Sequence, residues 1–430
     1  MNEPIQNNTL SNSTTDLHED GTWLALLGGG QLGLMFCEAA QKLGLRVAAI
    51  DPDKNAPLAS RADRFWAVPY NHTETLDLMV ALCETATVEF ENIPFPTLAY
   101  LAGKLPLRPS ADAIATAQDR AKEKALFSRC GLPTAPYVVL ENEMDLERVN
   151  STFFPARLKT LRLGYDGKGQ VAVASIHQLS EAWTRLNHTP SILERHIALK
   201  GEISVLIARD VLGRIALWSV SENFHQNGIL DVTLAPARIP DHLKDHAYAA
   251  AQKVAETMGY VGVLCVEFFI DENETLLLNE IAPRPHNSGH HTIESCVTSQ
   301  FEQQARIAAA LPLGDTTQKK ASVMINLLGD LWFDDHTLVP REPDWNAILR
   351  DCPHTTLRLY GKKDARRGRK MGHVTCCAEH LPDAIRTANL IRARLSQTSM
   401  KLAPIPDAPA LKPKKTVAAK TKARFHKSAL

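Results

Sequence analysis

Val261-Gly262-Val263-Leu264-Cys265-Val266-Glu267-Phe268-Phe269-Ile270 and Leu276-Leu277-Leu278-Asn279-Glu280-Ile281 are two apolar runs separated only by residues 271–275, the pattern of a β-hairpin. A turn centred on Asn273 and Glu274 sets Glu267 directly opposite Glu280 on one face of the sheet. Facing carboxylates among apolar neighbours repel unless a cation lies between them. Two carboxylates and the Asn279 amide form an oxygen-only donor set, which suits magnesium held on a nucleoside triphosphate. The plainer alternative is a pair of solvated carboxylates at a sheet edge.

Polyphosphate grips lie upstream of this hairpin. Lys159 ends the run Arg157-Leu158-Lys159 just before Leu163-Gly164-Tyr165-Asp166-Gly167-Lys168-Gly169-Gln170, whose glycines let a loop fold over phosphates and exclude water. Together with the carboxylate pair, the lysine and the loop imply ATP. Arg284-Pro285-His286-Asn287-Ser288-Gly289-His290-His291 follows the hairpin and offers varied donors to a phosphorylated, hydroxylated substrate. A basic stretch, Lys362-Lys363 through Arg366-Arg367-Gly368-Arg369-Lys370, is either a phosphate-monoester grip or a solvated loop.

The amino-terminal part is of α/β type. An apolar strand over 23–27, the glycines Gly28, Gly29 and Gly30, a helix over 31–43 stopped by Gly44 and a second strand over 47–50 form a βαβ unit. Gly28-x-Gly30-x-x-Gly33, with Asp51 closing the next strand, fits the dinucleotide fingerprint and makes an NAD-dependent oxidoreductase a serious rival. Glycines at a helix amino terminus serve any phosphate, however, so the motif alone leaves the ligand open. Further strands are expected over 87–90, 321–327 and 356–360, and helices over 113–130 and 300–311. Two helix-like stretches fall between 381 and 395, and the irregular mixing after residue 130 indicates α+β.

The chain has 430 residues, 44% of them hydrophobic and 22% charged, enough for several domains with real cores. A mean hydropathy of −0.17 and the lack of any apolar run near 18 residues argue against a membrane span. The eight cysteines show no C-x-x-C spacing, the usage of reduced, packed thiols in the cytosol, and give no zinc motif. Residues 1–21 are polar and read as a disordered leader. Residues 411–430 hold seven Lys and Arg and no Asp or Glu, so the remainder has 41 basic against 48 acidic residues. That tail raises a nucleic-acid-binding reading, yet it carries one aromatic and no motif, and a solvated tail is the expectation.

Six motifs in order resemble one family. Gly28-Gly29-Gly30-Gln31-Leu32-Gly33, Thr87-Val88-Glu89-Phe90-Glu91-Asn92-Ile93-Pro94, residues 163–170, Phe224-His225-Gln226-Asn227-Gly228-Ile229-Leu230, residues 279–290 and Gly368-Arg369-Lys370-Met371-Gly372-His373 are similar to those of 5-(carboxyamino)imidazole ribonucleotide synthase, the ATP-grasp enzyme of purine biosynthesis. The resemblance spans roughly residues 22–395 and departs from the family pattern at Arg157, Leu161 and Arg367.

It implies an ATP-grasp fold with an N-terminal Rossmann-like (pre-ATP-grasp) domain over 22–112, an ATP-grasp domain over 113–303, a small C-terminal domain over 304–400 and a basic tail over 401–430. The implied reaction joins bicarbonate to 5-aminoimidazole ribonucleotide at the expense of ATP. By the same resemblance, Arg120 and Lys159 hold the ATP phosphates under a lid of Gly164, Tyr165, Asp166, Gly167, Lys168, Gly169 and Gln170. Glu194, Arg195, His196 and Ile197 meet the adenine, Glu202 the ribose, and His225 the nucleotide side of the site. Glu267, Asn279 and Glu280 carry magnesium, Asn279 and Glu280 lying also against the nucleotide. Gln31, Glu89, Tyr165, Asp166, Arg284, His286, Asn287, Ser288, Lys362 and Arg369 surround the aminoimidazole nucleotide, with Lys159, Asp166, Arg284 and His286 taking the catalytic roles. A homodimer is the family expectation. The nearest enzyme rival is the formate-dependent glycinamide ribonucleotide transformylase, against which the run 286–290 argues.

Overall fold

The computed structural model describes residues 21–164, 168–333, 339–396 and 402–406. In the amino-terminal part, four parallel strands run in the order Arg64–Trp66, Arg46–Ile50, Trp23–Leu27, Thr85–Val88. Trp23, Ala25 and Leu27 pack into one hydrophobic cluster while Leu24 and Leu26 enter another, because successive side chains of a strand point to opposite faces. Both faces are therefore covered, which explains why the strand is apolar throughout. The fourth strand ends at Val88, leaving Glu89 and Glu91 beyond the carboxyl edge of the sheet.

The helix expected over 113–130 is two helices, Ala111–Ala117 and Arg120–Arg129. Asp119 interrupts them: its carboxylate accepts the amides of Ala121 and Lys122, so it caps the second helix. That restart aims Arg120, Glu123 and Lys124 at the hairpin.

A nine-stranded sheet forms the body. Its path runs Leu276–Ala282, Gly262–Asp271, Leu199–Arg209, Ser221–Gln226, Ile229–Ala235, Ala321–Leu328, Lys370–Ala378, Thr355–Leu359, with Ile215–Leu217 beside Leu199–Arg209. Every pairing in it is antiparallel. Because Ile229–Ala235 pairs with Ala321–Leu328, one sheet spans the ATP-grasp and C-terminal parts that the sequence divides near residue 303. The long helix Asp241–Thr257 buries Leu243, Ala247, Ala251 and Val254 against this sheet. Leu381–Leu395 is one helix where two stretches were expected, and it buries Ala384, Ile385, Ala388, Ile391 and Leu395 along a single stripe.

A smaller antiparallel sheet, ordered Tyr137–Leu140, Ser191–Arg195, Ala156–Thr160, Gln170–Val173, stands apart and is backed by Trp183. The amino-terminal part is tied to the body through buried polar bonds. Gln304 Nε2 donates to Thr87 Oγ1 at 3.1 Å and to Val88 O at 3.0 Å, and Gln118 Nε2 donates to Glu91 O at 2.6 Å. Arg358 bridges Glu38 at 2.9 Å and Glu294 at 3.2 Å. The carboxyl edge of the parallel sheet is thereby held against the hairpin, where an open α/β sheet offers its ligand crevice.

Candidate active site

The hairpin brings Glu267 opposite Glu280, as the sequence predicts, but by a different route. Near the turn the partners are Ile270 with Leu276, Phe269 with Leu277 and Phe268 with Leu278, a register centred on Asn273 alone. Continued unchanged, it would set Glu267 against Asn279. The register shifts between Glu267 and Phe268 instead, so Asn279 is the extra residue of a β-bulge and Glu280 takes the facing position.

Electrostatics then split the pair. Burial pushes Glu267 well above the usual carboxylate range, and the adjacent Glu280 pushes it further. Burial acts on Glu280 too, but Arg120, whose Nη1 lies 3.1 Å from Glu280 Oε2, and Lys159 hold it down to about 2. The two are pushed in opposite directions, Glu280 towards the ionised form and Glu267 towards the protonated one. Glu267, Glu280 and Asn279 present an oxygen set that would hold a hard ion such as magnesium, whose charge would relieve the repulsion between the two carboxylates. Cys265, Glu267 and His286 also present donor atoms within 4.8 Å of one another. Burial holds the Cys265 thiol well up, however, and its Sγ turns to Ser288 Oγ at 3.9 Å, so the oxygen set is the better match.

On the phosphate side, Lys159 and Lys124 both pair with the Glu194 carboxylate, Lys124 Nζ at 3.1 Å from Oε1. Glu194, expected to meet the adenine, is thus occupied inside the small sheet between two lysines. Arg195 donates to Thr152 O at 3.1 Å, the His196 amide to Pro155 O at 2.9 Å, and Ile197 is half-buried. His225 Nδ1 and Glu202 Oε2 lie 3.1 Å apart. In the loop, Thr160 N donates to Gly169 O at 2.8 Å, closing its base. Gly169 has φ +70°, and a Cβ there would stand 2.8 Å from Thr160 Oγ1, so only glycine fits. Tyr165, Asp166 and Gly167 lie outside the described residues.

On the opposite side, Arg284 Nε meets Glu91 Oε2 at 2.6 Å, joining the end of the hairpin to the edge of the parallel sheet. His286 Nε2 sits 3.5 Å from Glu267 Oε1, and its Nδ1 sits 2.9 Å from Ser288 Oγ. Burial lowers His286 to about 3, so the ring is neutral. Gln300 fixes its backbone from both ends: His286 N donates to Oε1 at 2.8 Å and Nε2 donates to His286 O at 2.7 Å. Asn287 and Asn326 exchange reciprocal amide bonds at 3.0 and 2.7 Å. Lys362 Nζ reaches Lys370 O at 2.8 Å and Arg369 Nη1 reaches Asp364 O at 2.8 Å, while Lys363 extends to Asn55 of the amino-terminal part. Gln31 opens the first helix and is half-buried.

The glycine fingerprint is filled from within. Glu89 accepts the amides of Gly30 and Leu32, the latter at 3.2 Å. A Cβ on Gly28 would come within 2.7 Å of Glu89, and one on Gly30 would collide with its carboxylate. Asp51, the ribose ligand of the oxidoreductase reading, accepts Gly29 N at 2.8 Å and Tyr70 OH at 2.9 Å. These glycines make room for a side chain of the protein, in the place where a dinucleotide pyrophosphate would lie. Sequence reasoning gave no role to Glu91, Glu123, Lys124, Gln300 or Asn326. Glu91 lies within the motif over 87–94, and Glu123 and Lys124 share the i, i+3, i+4 spacing with Arg120; Gln300 and Asn326 carried no signal.

The described residues contain no helix long and apolar enough to cross a membrane. Their cysteines are free, with seven buried and Cys377 half-buried.

Residues 22–118 match the ribonucleotide synthetase preATP-grasp domain, 125–301 the ATP-grasp domain, and 322–387 the phosphoribosylaminoimidazole carboxylase C-terminal domain. The chain is 38% identical over 356 residues to the N5-carboxyaminoimidazole ribonucleotide synthase of Bacillus subtilis, covering 83% of this chain and 91% of that one. It is 40% identical over 358 residues to the Brucella melitensis enzyme of the same name, covering 83% and 96%. Among solved structures, the Thermus thermophilus N5-carboxyaminoimidazole ribonucleotide synthetase superposes with a TM-score of 0.78 at 37% identity, covering 88% of this chain and 99% of that one. An Aspergillus clavatus N5-carboxyaminoimidazole synthase in complex with ADP and 5-aminoimidazole ribonucleotide gives 0.78 at 27% identity, covering 88% and 99%. With three family domains in order and such coverage of both partners, the chain belongs to the N5-carboxyaminoimidazole ribonucleotide synthase family of ATP-grasp enzymes.

Proposed function

We infer that the chain is an ATP-dependent ligase that carboxylates the exocyclic amine of 5-aminoimidazole ribonucleotide with bicarbonate, releasing ADP and phosphate, a step of purine biosynthesis. The observation that carries this reading is the Glu267 and Glu280 pair with Arg120 and Lys159 beside it, a charge arrangement suited to a metal-bound triphosphate.

The proposed roles are those that the family resemblance implies. Arg120 and Lys159 bind the ATP phosphates; when the triphosphate enters, Lys159 exchanges Glu194 for phosphate oxygens. The lid role is assigned to the Gly-rich run 164–170 from its sequence, the nucleoside to Glu202 and His225, and the adenine to residues 194–197. Magnesium on Glu267, Asn279 and Glu280 would supply charge neutralisation at the phosphates. Glu89, Gln31, Arg284, residues 286–288, Lys362 and Arg369 receive the aminoimidazole nucleotide. Bicarbonate is a weak electrophile. Transfer of the γ-phosphoryl group to it makes carboxyphosphate, whose breakdown yields carbon dioxide and phosphate next to the amine. Arg284, oriented by Glu91, offers a fixed cation for the bicarbonate. A closed lid keeps water from the mixed anhydride. The proposal extends to a cytosolic homodimer.

The deciding assay is ADP release with 5-aminoimidazole ribonucleotide present or absent, with and without bicarbonate. Release that requires both supports the reading. Stimulation by glycinamide ribonucleotide and formate in their place overturns it.

A further inference from the structure

We propose that Glu123 and Lys124 are positioning residues for the carboxylate pair: they hold the bulge at Asn279 that places Glu280 opposite Glu267. The inference rests on the reading that this pair carries the divalent ion.

Among the described residues, strand Leu276–Ala282 is the outermost of the nine-stranded sheet, and its outer side meets no further strand, only an isolated parallel bridge between Leu278 and Thr134. The structure supplies partners one by one. Leu278 N donates to Pro133 O at 2.8 Å. Asn279 O accepts from Lys124 Nζ at 2.9 Å, and Ile281 N donates to Glu123 Oε1 at 2.7 Å. The last two contacts bracket Glu280, and Arg120, one turn earlier on the same helix, pairs with its carboxylate at 3.1 Å. Arg120, Glu123 and Lys124 share one helix face through their i, i+3, i+4 spacing.

The bulge needs such support. A regular ladder would set Asn279 against Glu267 and, since alternate residues face opposite ways, turn Glu280 to the other side of the sheet. Glu123 and Lys124 are buried and touch backbone here, so they act through Glu280 without reaching the reacting atoms. Lys124 also pairs with Glu194, which holds Lys159, so one helix sets both the metal carboxylate and the phosphate lysine.

Three variants, Glu123→Gln, Glu123→Leu and Lys124→Met, test this, with Glu280→Gln as the reference. The readouts are the free magnesium giving half-maximal ADP release, kcat and KM for 5-aminoimidazole ribonucleotide, and circular dichroism with melting temperature for folding. Folded Glu123→Leu and Lys124→Met are expected to need about tenfold more magnesium and to lose kcat, with KM for the nucleotide nearly unchanged. Glu123→Gln keeps an acceptor for Ile281 N and is expected to behave like the parent chain. Folded Glu123→Leu with an unaltered magnesium requirement overturns the inference, as does Glu123→Gln failing as badly as the leucine variant. If neither Glu123→Leu nor Lys124→Met folds, the two side chains are structural supports only, which also overturns it. Failure of the underlying reading looks different: Glu280→Gln would then keep the parent chain's magnesium dependence.

Discussion

Glu89 accepts the Gly30 amide at the amino end of the helix Gln31–Lys42, so the position where a dinucleotide-binding protein seats a pyrophosphate is taken by a carboxylate from the fourth strand's end. Substituting Gly30→Ala drives a methyl group into that carboxylate. The expected result is a loss of kcat/KM for 5-aminoimidazole ribonucleotide of about tenfold to a hundredfold, since Glu89 moves. Steady-state kinetics measure it. NADH added to the parent chain is expected to give no fluorescence transfer from tryptophan.

The same burial gives a pH signature. Glu89 and Glu123 are each raised to about 7 by desolvation, against backbone amides at Glu89 and against Lys124 and Arg120 at Glu123. Between about pH 4.5 and 7 the folded state keeps protons that the unfolded chain has released, so these groups lower stability as pH rises through that window. Glu89→Gln removes one such group. It is expected to gain up to about 3 kcal/mol over the parent chain at pH 8 and little at pH 4.5, measured by urea unfolding at both. Glu280, held to about 2, works in the opposite sense: its contribution is present above pH 4.5 and is lost as pH falls towards 2.

Arg392 binds Asp231 with two parallel bonds, at 2.9 and 2.8 Å, where the C-terminal helix crosses strand Ile229–Ala235. Both side chains are buried. Arg392→Met leaves a carboxylate without its partner and is expected to cost about 3–5 kcal/mol by denaturant titration. Pairing it with Asp231→Leu is expected to recover most of that loss. ADP release per folded molecule stays near that of the parent chain, because neither side chain reaches the hairpin.

Residues 402–406 return to the same helix. Ile405 is buried, it exchanges bonds with Asn389 at 2.7 and 3.1 Å, and Arg392 Nε donates to Ala403 O at 2.8 Å. A chain ending at residue 406 is expected to keep full turnover, whereas one ending at residue 396 melts earlier through a loss of about 1–3 kcal/mol. A nucleic-acid role for the basic tail predicts the reverse: function lost at the first truncation.

Motifs bound to local chemistry were legible. The βαβ unit, the hairpin and the Gly-rich loop each follow from short runs whose period or glycine content dictates the backbone. Residues 113–130 were not, because an Asp inside a helical pattern signals either a surface position or a new cap, and only the geometry at Asp119 chose between them. The break between the parts was hidden for a similar reason: pairing of strands 229–235 and 321–328 is non-local, and nothing in either strand names the other.

From the sequence alone came the donor types: two acids on apolar strands, a lysine before a Gly-rich run, and a glycine turn at a helix start. Residue identity sets what chemistry is available, and that is a local property. The tertiary structure decided which groups meet. It inserted Asn279 as an extra residue so that Glu280 faces Glu267, filled the glycine turn with Glu89, and gave Lys159 the buried partner Glu194. Such outcomes depend on register and packing between segments far apart in the chain, where a shift of one residue reverses the face a side chain presents.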